Sequence, residues 1–212
     1  MERVLTQLRK GIRTSFHKNL FDVEKGCYAD ANLGGRLSEH VSEISNMSAI
    51  LWGLCGGKEG RRIAESFYIQ ENQPFTLAEP FGTMVTLRAL DKLGMTDLAF
   101  RILRERWGAW MVERGFSSTT EEWGMNGSWR SGSYQGIMRS LSHAWSAGPA
   151  QFLIHNTIGL RIMKPGCSEI RLHPSDIGTD YHIVCPLPQG DLIVDSSHGE
   201  IRYVVPEGVK IV

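Results

Sequence analysis

The chain has 212 residues, of which 42% are hydrophobic, and its 23 basic residues balance 23 acidic ones to give a formal net charge of zero. This length and composition predict one domain, or a domain with a small appendage, with enough apolar material for a core. The neutral balance and the scattered basic residues argue against a nucleic-acid partner.

The four cysteines (Cys27, Cys55, Cys167 and Cys185) are far apart and form no CxxC pair. The sequence therefore predicts no zinc site, no disulfide framework and no metal or other cofactor. The first residues, MERVLTQLRKGIRTSF, are charged throughout and lack the apolar core of a secretory signal. No apolar run approaches the roughly 18 residues of a membrane span. We expect a cytoplasmic protein with no membrane partner.

Apolar residues recur at helical spacing over the first two-thirds of the chain. The pattern predicts six helices: Val4 to Phe16, Ser38 to the glycines at 56 and 57, Lys58 to Ile69, Gly82 to Leu93, Asp97 to Met111, and Ile137 to roughly Ile158, the last interrupted at Gly148 and Pro149. Ser38 and Thr96 are the predicted N-caps of the second and fifth helices. Paired antiparallel helices are typical of an α-hairpin toroid or a bundle.

The periodicity changes near Lys164. Short segments rich in β-branched residues follow, separated by proline and glycine, and predict a small antiparallel β-unit with strands at Glu169–Leu172, Tyr181–Leu187, Asp191–Asp195, Ile201–Val205 and Val209–Val212. The predicted domains are therefore a helical domain, residues 1–164, and a β-unit, residues 165–212.

The stretch from Ser117 to Pro149 is rich in glycine and holds three of the six tryptophans. It also carries two adjacent carboxylates, Glu121 and Glu122, and His143. Glycine at this density disfavours a helix or strand interior. A polar loop crowded with aromatic side chains is typical of a site that stacks sugar faces and places acids beside them.

Several stretches, in order, resemble the C-terminal part of the bacterial α-L-rhamnosidases of glycoside hydrolase family 78. They are LSEHVSEISNMSAILWGL, LAEPFGTMVTLRALDKLGMTDLAFRILRERWGAWM, GFSSTTEEW, SLSHAWSAGPAQFL and GLRIMKPGCSEIRLHPS. The resemblance implies an (α/α)6 barrel of six helical hairpins followed by a β-sandwich. Six helices make about half of that barrel, so the implied fold is mainly α: an incomplete (α/α)6 toroid followed by a small antiparallel sheet.

The same resemblance implies an inverting hydrolase, in which one carboxylic acid protonates the leaving group and a second carboxylate activates water. The family motif places the base at Glu121. Thr120 stands where the family has tryptophan, so a shift of one residue to Glu122 stays open. Adjacent residues in an extended segment face opposite sides, and only one of the two carboxylates is expected to face the sugar.

The resemblance also implies that His143, in the SHAW segment, contacts the sugar ring. Trp123, Trp129 and Arg130 are further candidates for substrate binding, with Trp129 the better candidate for stacking. Trp145 is expected to pack, because small apolar residues surround it.

Glu39 and Glu43 share a helix face, and we expect them to serve as cap and surface charge in preference to metal ligation or lining of the barrel mouth.

Three readings of the function remain open. The first is an α-L-rhamnosidase-type glycoside hydrolase whose general acid comes from outside this sequence. The second is a non-catalytic remnant that binds sugars or assembles with itself, and a related six-hairpin glycosidase of other specificity is a third reading. The expected partners are a rhamnoside substrate and either a second copy of the chain or a missing N-terminal portion that completes the barrel.

Overall fold

The computed structural model describes residues 2–123 and 140–212. They form two compact units, Met1–Ala147 and Gly148–Val212. The domain boundary predicted near Lys164 lies further along the chain, and the domain assignment stays a prediction. No helix in the described parts of the chain is long and apolar enough to cross a membrane.

The N-terminal unit is helical, as its periodicity predicts. Its helices are α1 (Glu2–Leu20), α2 (Glu43–Leu51), α3 (Gly57–Tyr68), α4 (Pro80–Lys92) and α5 (Thr96–Leu103). A π-helical segment, Arg104–Val112, continues directly from α5, and a 3₁₀ turn covers Ala144–Ala147. Two short antiparallel hairpins connect α1 to α2: β1 (Phe21–Asp22) with β2 (Cys27–Tyr28), and β3 (Asn32–Leu33) with β4 (Arg36–Leu37).

The N-cap of α2 is Ser42, and the prediction of Ser38 is wrong. Ser42 has an extended backbone, and its hydroxyl accepts the Ser45 N–H at 3.3 Å. Ser38 lies directly after β4, where its hydroxyl accepts the backbone N–H of His40 instead. Between Ser38 and Ser42 the backbone pairs with distant residues, as where the Asp30 N–H donates to the His40 carbonyl at 3.1 Å. Periodicity placed the helix too early because it does not register such pairing.

The predicted helix from Asp97 to Met111 is interrupted in its hydrogen-bonding pattern. The α-helix begins at Thr96, which is its first residue, so Thr96 is not its cap. From Arg104 to Val112 the helix widens to π geometry, a rare form often found near functional sites. This segment carries Trp107, which is buried, and Trp110.

The core of this unit lies among α2, α3, α4 and α5. Its fully or almost fully buried apolar residues are Met47, Ala49, Ile50, Ile63, Ala64, Phe67, Leu87, Ala89, Leu90, Ala99 and Ile102. Burial of each large side chain of this kind contributes about 1.5–3 kcal/mol. The apolar periodicity of these four helices is therefore explained by their packing.

Helix α1 differs from the others, because the apolar residues that predict it remain exposed. Val4, Leu5, Leu8 and Ile12 are each at least half exposed. Near the C-terminal end of α1, His17 Nδ1 lies 3.1 Å from the hydroxyl of Tyr28. The apolar face of α1 is thus exposed on the surface of the N-terminal unit.

A buried ion pair joins α2 to the π-helical segment. Glu43 is fully buried, and its Oε1 and Oε2 lie 2.9 Å from Arg106 Nη2 and 3.0 Å from Arg106 Nη1. The expectation that Glu43 is a cap or surface charge is wrong: its position in the first turn of α2 faces the core.

Three further donors complete the shell around the Glu43 carboxylate. The Tyr68 hydroxyl donates at 2.6 Å, the Thr86 hydroxyl at 3.0 Å and the Ala78 backbone N–H at 2.7 Å. Burial, followed by the adjacent Glu43 charge, raises the pKa of Tyr68 well above its usual value. Tyr68 is therefore a neutral donor at ordinary pH.

The C-terminal unit begins with α6 (Gly148–Thr157), contains a 3₁₀ turn at Pro165–Cys167, and has six described strands. These are β5 (Arg161–Ile162), β6 (Glu169–Arg171), β7 (Tyr181–Leu187), β8 (Gly190–Ser197), β9 (Glu200–Val204) and β10 (Lys210–Ile211). The first three residues of the predicted helix from Ile137 to Ile158 lie outside the described residues. Residues 140–143 are not helical, because they pair with residues 118–121 through hydrogen bonds that a helix would not permit.

The strands form two three-stranded sheets among the described residues. One has the order β7-β8-β9 and is antiparallel, with Ile183 opposite Val194 and Val194 opposite Tyr203. The other has the order β10-β6-β5, and its β10–β6 pair is parallel. The prediction of a wholly antiparallel unit is therefore wrong for this pair. After β9 the chain returns to the sheet that contains β6, and β10 runs beside β6 in the same direction. Ile158, Leu160, Ile170, Leu172, Leu192 and Val194 form the core.

The buried ion pair predicts a large loss of stability when one partner is removed. Glu43→Ala leaves Arg106 buried without its carboxylate, and we expect a loss of about 3–5 kcal/mol in the free energy of unfolding. Replacing both partners at once, with Glu43→Leu and Arg106→Met, is expected to cost less than Glu43→Ala. Urea unfolding measures both.

Glu39→Ala is the control, because Glu39 is exposed and lies four residues before Glu43, outside α2. We expect it to change stability by no more than about 0.5 kcal/mol. Equal losses for Glu39→Ala and Glu43→Ala would contradict the central role of the ion pair.

Candidate functional site

A cavity of about 530 Å³ opens in the N-terminal unit beside the start of α4. Four carboxylates line it: Asp30, Glu79, Glu121 and Glu122. Ile44, Leu77 and Phe81 supply apolar surface, while His40 and Ser42 supply further polar groups. A concave, partly apolar cavity with a few convergent polar groups is the usual form of a small-molecule site.

The Glu121 carboxylate is held beside His143 by pairing of the backbone around both residues. The backbone N–H of Glu121 donates to the Ser140 carbonyl at 2.9 Å, and that of His143 donates to the Thr119 carbonyl at 2.7 Å. The Thr119 hydroxyl also donates to the His143 carbonyl at 3.0 Å. These bonds join residues 119–121 to residues 140–143, which are the described residues on either side of residues 124–139.

This pairing brings together two residues that the sequence places in separate motifs. Glu121 Oε2 lies 3.9 Å from His143 Nδ1, and both side chains are partly exposed, at 34% and 26%. A carboxylate and an imidazole at this separation offer a proton acceptor and a group that donates or accepts a hydrogen bond.

Glu122 occupies a different environment from its neighbour. It is only 5% exposed, and its backbone carbonyl accepts the hydroxyl of the fully buried Thr120 at 2.7 Å. Glu121 is therefore the more accessible of the two acids, although both line the cavity. Which of them acts as base stays a prediction.

Trp123 and Trp145 have the reverse of the environments that the sequence predicts. Trp123 is 3% exposed, and its indole packs edge-on against Trp107 and Trp110 with ring centroids 4.9 and 5.5 Å apart. This geometry favours a packing role for Trp123, because a buried ring offers no face to a sugar.

Trp145 is 64% exposed and lines the cavity. Its ring lies 5.0 Å from that of Phe81, which is also exposed, and 5.4 Å from that of His143. The 3₁₀ turn Ala144–Ala147 presents the ring outward. Trp145 thus has the exposure that a stacking platform requires. Trp129 and Arg130, the other two candidates for substrate binding, lie outside the described residues.

Glu79 and Phe81 also line the cavity and are not among the residues that the sequence predicts for the site. They flank Pro80, which is the first residue of α4. Proline is favoured at that position, so Pro80 signals the start of a helix more accurately than Gly82 does. Placing the helix start there brings both side chains to its N-terminal end, where they line the cavity.

No group of three or more His, Cys, Asp or Glu side chains within residues 2–123 and 140–212 is placed to hold a metal ion. Glu43, which the spacing with Glu39 made geometrically compatible with metal ligation, is bound to Arg106 instead. The chemistry available at the cavity is that of carboxylates, an imidazole and aromatic faces.

Solved structures of α-L-rhamnosidases share this fold. A GH78 family rhamnosidase of Bacillus sp. GL1 matches with a TM-score of 0.74 and 24% identity over 94% of this chain and 22% of that chain. An α-L-rhamnosidase from Streptomyces avermitilis, solved in complex with L-rhamnose, matches with a TM-score of 0.66 and 18% identity, over 96% of this chain and 20% of that chain. An α-L-rhamnosidase from Aspergillus terreus matches with a TM-score of 0.69 and 16% identity, over 96% and 24%.

No protein-family model and no curated protein matches the sequence. The chain spans less than a quarter of the length of the solved structures named above. The resemblance to α-L-rhamnosidases that the sequence motifs indicate is confirmed as a likeness of fold.

Proposed function

We propose that this chain carries the water-activating side of an α-L-rhamnosidase-type active site, which hydrolyses terminal α-L-rhamnosides with inversion. The observation that carries the proposal is the placement of the Glu121 carboxylate at a cavity, beside His143 and near the exposed ring of Trp145. The shared fold with α-L-rhamnosidases supports it.

In the proposed reaction, the Glu121 carboxylate accepts a proton from a water molecule as that water attacks the anomeric carbon. The bond to the leaving oxygen breaks on the opposite face of the sugar and requires a proton from a second carboxyl group. In inverting enzymes the two carboxyl groups lie roughly 6.5–9.5 Å apart, which leaves room for the water. We assign this general acid to a segment outside the chain, and we propose that this segment and helices α2 to α5 together belong to one (α/α)6 toroid.

His143 and Trp145 are the proposed sugar contacts. The imidazole offers a donor or an acceptor to a ring hydroxyl. The exposed indole offers an apolar face of the kind on which sugar rings stack. Phe81, beside Trp145, extends that face along the cavity.

Substitutions of the two adjacent acids are expected to have different effects, with Glu121→Gln reducing activity and Glu122→Gln reducing stability. Glu121→Gln should reduce hydrolysis of an aryl α-L-rhamnoside by about 10²–10⁴-fold, since the amide accepts no proton from water. Its unfolding midpoint should stay close to that of the unmodified chain, because the side chain is partly exposed. Glu122→Gln should lower the midpoint, because it alters a buried group.

Both variants are assayed beside the unmodified chain. If the chain alone is inactive, the segment that supplies the general acid is added to every assay. The exposed Glu113→Gln is the control. Loss of hydrolysis in Glu122→Gln with normal stability, together with an active Glu121→Gln, would transfer the role of base to Glu122.

Sugar binding is expected to depend on Trp145. Trp145→Ala should weaken L-rhamnose binding, measured by calorimetry, by about tenfold, because it removes the apolar face. Trp52→Ala is the matched control, since Trp52 is similarly exposed at 61% and does not line the cavity. Equal affinities for the two variants would count against Trp145 as the platform.

The alternative is a non-catalytic protein that binds sugars or assembles with itself, and the exposed apolar face of α1 favours assembly. Contiguous apolar surface on a soluble domain commonly marks an interface. We expect Leu8→Asp to halve the mass measured by light scattering if a second copy covers this face. A monomeric mass for the unmodified chain would remove self-assembly from the alternatives.

A further inference from the structure

Glu79 stands directly before α4 and lines the same cavity as Glu121. Its Oε2 accepts the backbone N–H of Trp123 at 3.1 Å. Within the part of the chain that the structure describes, its side chain makes no capping hydrogen bond to the first turn of α4. The carboxylate thus reaches across to the segment that carries Glu121.

Trp123 is also held through its side chain by the residue before Glu79. The indole Nε1–H donates to the Ala78 carbonyl at 2.8 Å, and both groups are buried. Two consecutive residues therefore hold Trp123 at its backbone and at its ring. Because Trp123 lies two residues after Glu121, this fixes the end of the segment on one side of the proposed base.

The Ala78–Glu79 segment is itself anchored in the core. The Ala78 N–H donates to Glu43 Oε2 at 2.7 Å, and its carbonyl also accepts the Thr83 hydroxyl at 3.0 Å. Arg106 Nη1 donates to both Glu43 and Thr83. The anchor of Trp123 is therefore continuous with the buried ion pair.

We propose that Glu79 is the positioning residue of Glu121, holding it at the cavity through Trp123. The other side of Glu121 is held by its N–H bond to Ser140. Loss of the Glu79 carboxylate removes the restraint on the Trp123 backbone and leaves only the ring held by Ala78, so Glu121 gains freedom to move from its place beside His143. The proposal rests on the proposed function only in its consequence for sugar binding.

The first readout is independent of sugar. In Glu79→Ala, amide hydrogen exchange at Trp123 should become about 10- to 100-fold faster, since a hydrogen bond to a charged acceptor is lost. The carboxyl-carbon NMR signal of Glu121 should move. Exchange of the Ala49 amide, in the core of α2, should not change. Glu79→Gln keeps an acceptor oxygen and should return both signals toward those of the unmodified chain.

The second readout is L-rhamnose affinity, which should fall about tenfold in Glu79→Ala and recover largely in Glu79→Gln. Glu113→Ala, an exposed carboxylate outside the cavity, is the control and should leave both readouts unchanged.

The outcomes separate the two proposals. If Trp123 exchange and the Glu121 signal are unaltered in Glu79→Ala, the positioning role is overturned. If they change as expected and the unmodified chain binds no rhamnose, the positioning role is supported and the proposed function fails. If Ala49 exchange accelerates equally, the effect is global and the positioning role is overturned.

Discussion

The buried pair of Glu43 and Arg106 is the interaction on which the N-terminal unit depends. Its carboxylate is shared by donors from α3, from α4, from the segment before α4 and from the π-helical segment. Removing a charge from water costs several kcal/mol unless its partners are in place. The pair is satisfied only when all these elements dock together, which makes it a source of specificity for this arrangement.

The segments that line the cavity are connected to that pair by hydrogen bonds. Ala78 connects Glu43 to the indole of Trp123, and Glu79 holds the backbone of the same residue. The rings of Trp107 and Trp110, on the π-helical segment, pack edge-on against that of Trp123. A catalytic group on a loop needs support of this kind, because its position otherwise varies by more than the chemistry tolerates.

Neighbouring residues with similar side chains acquire different roles here through their surroundings. Glu121 is partly exposed beside His143, whereas Glu122 is buried. Trp123 packs in the core of the site, whereas Trp145 faces the cavity. Such differences of environment, and not residue type, decide which group meets a ligand. They arise from contacts between segments that are distant along the chain.

The amino-acid sequence by itself determined most of the helices, the strands β6 to β10 and the acidic, aromatic segment near Glu121, because periodicity and glycine content are local properties. It also indicated the α-L-rhamnosidase fold through its motifs. Only the tertiary structure decided that Glu43 is buried, that Glu79 reaches Trp123, and that β10 pairs in parallel with β6. These features depend on contacts between residues far apart in sequence. A local sequence pattern does not specify which surface a side chain will contact.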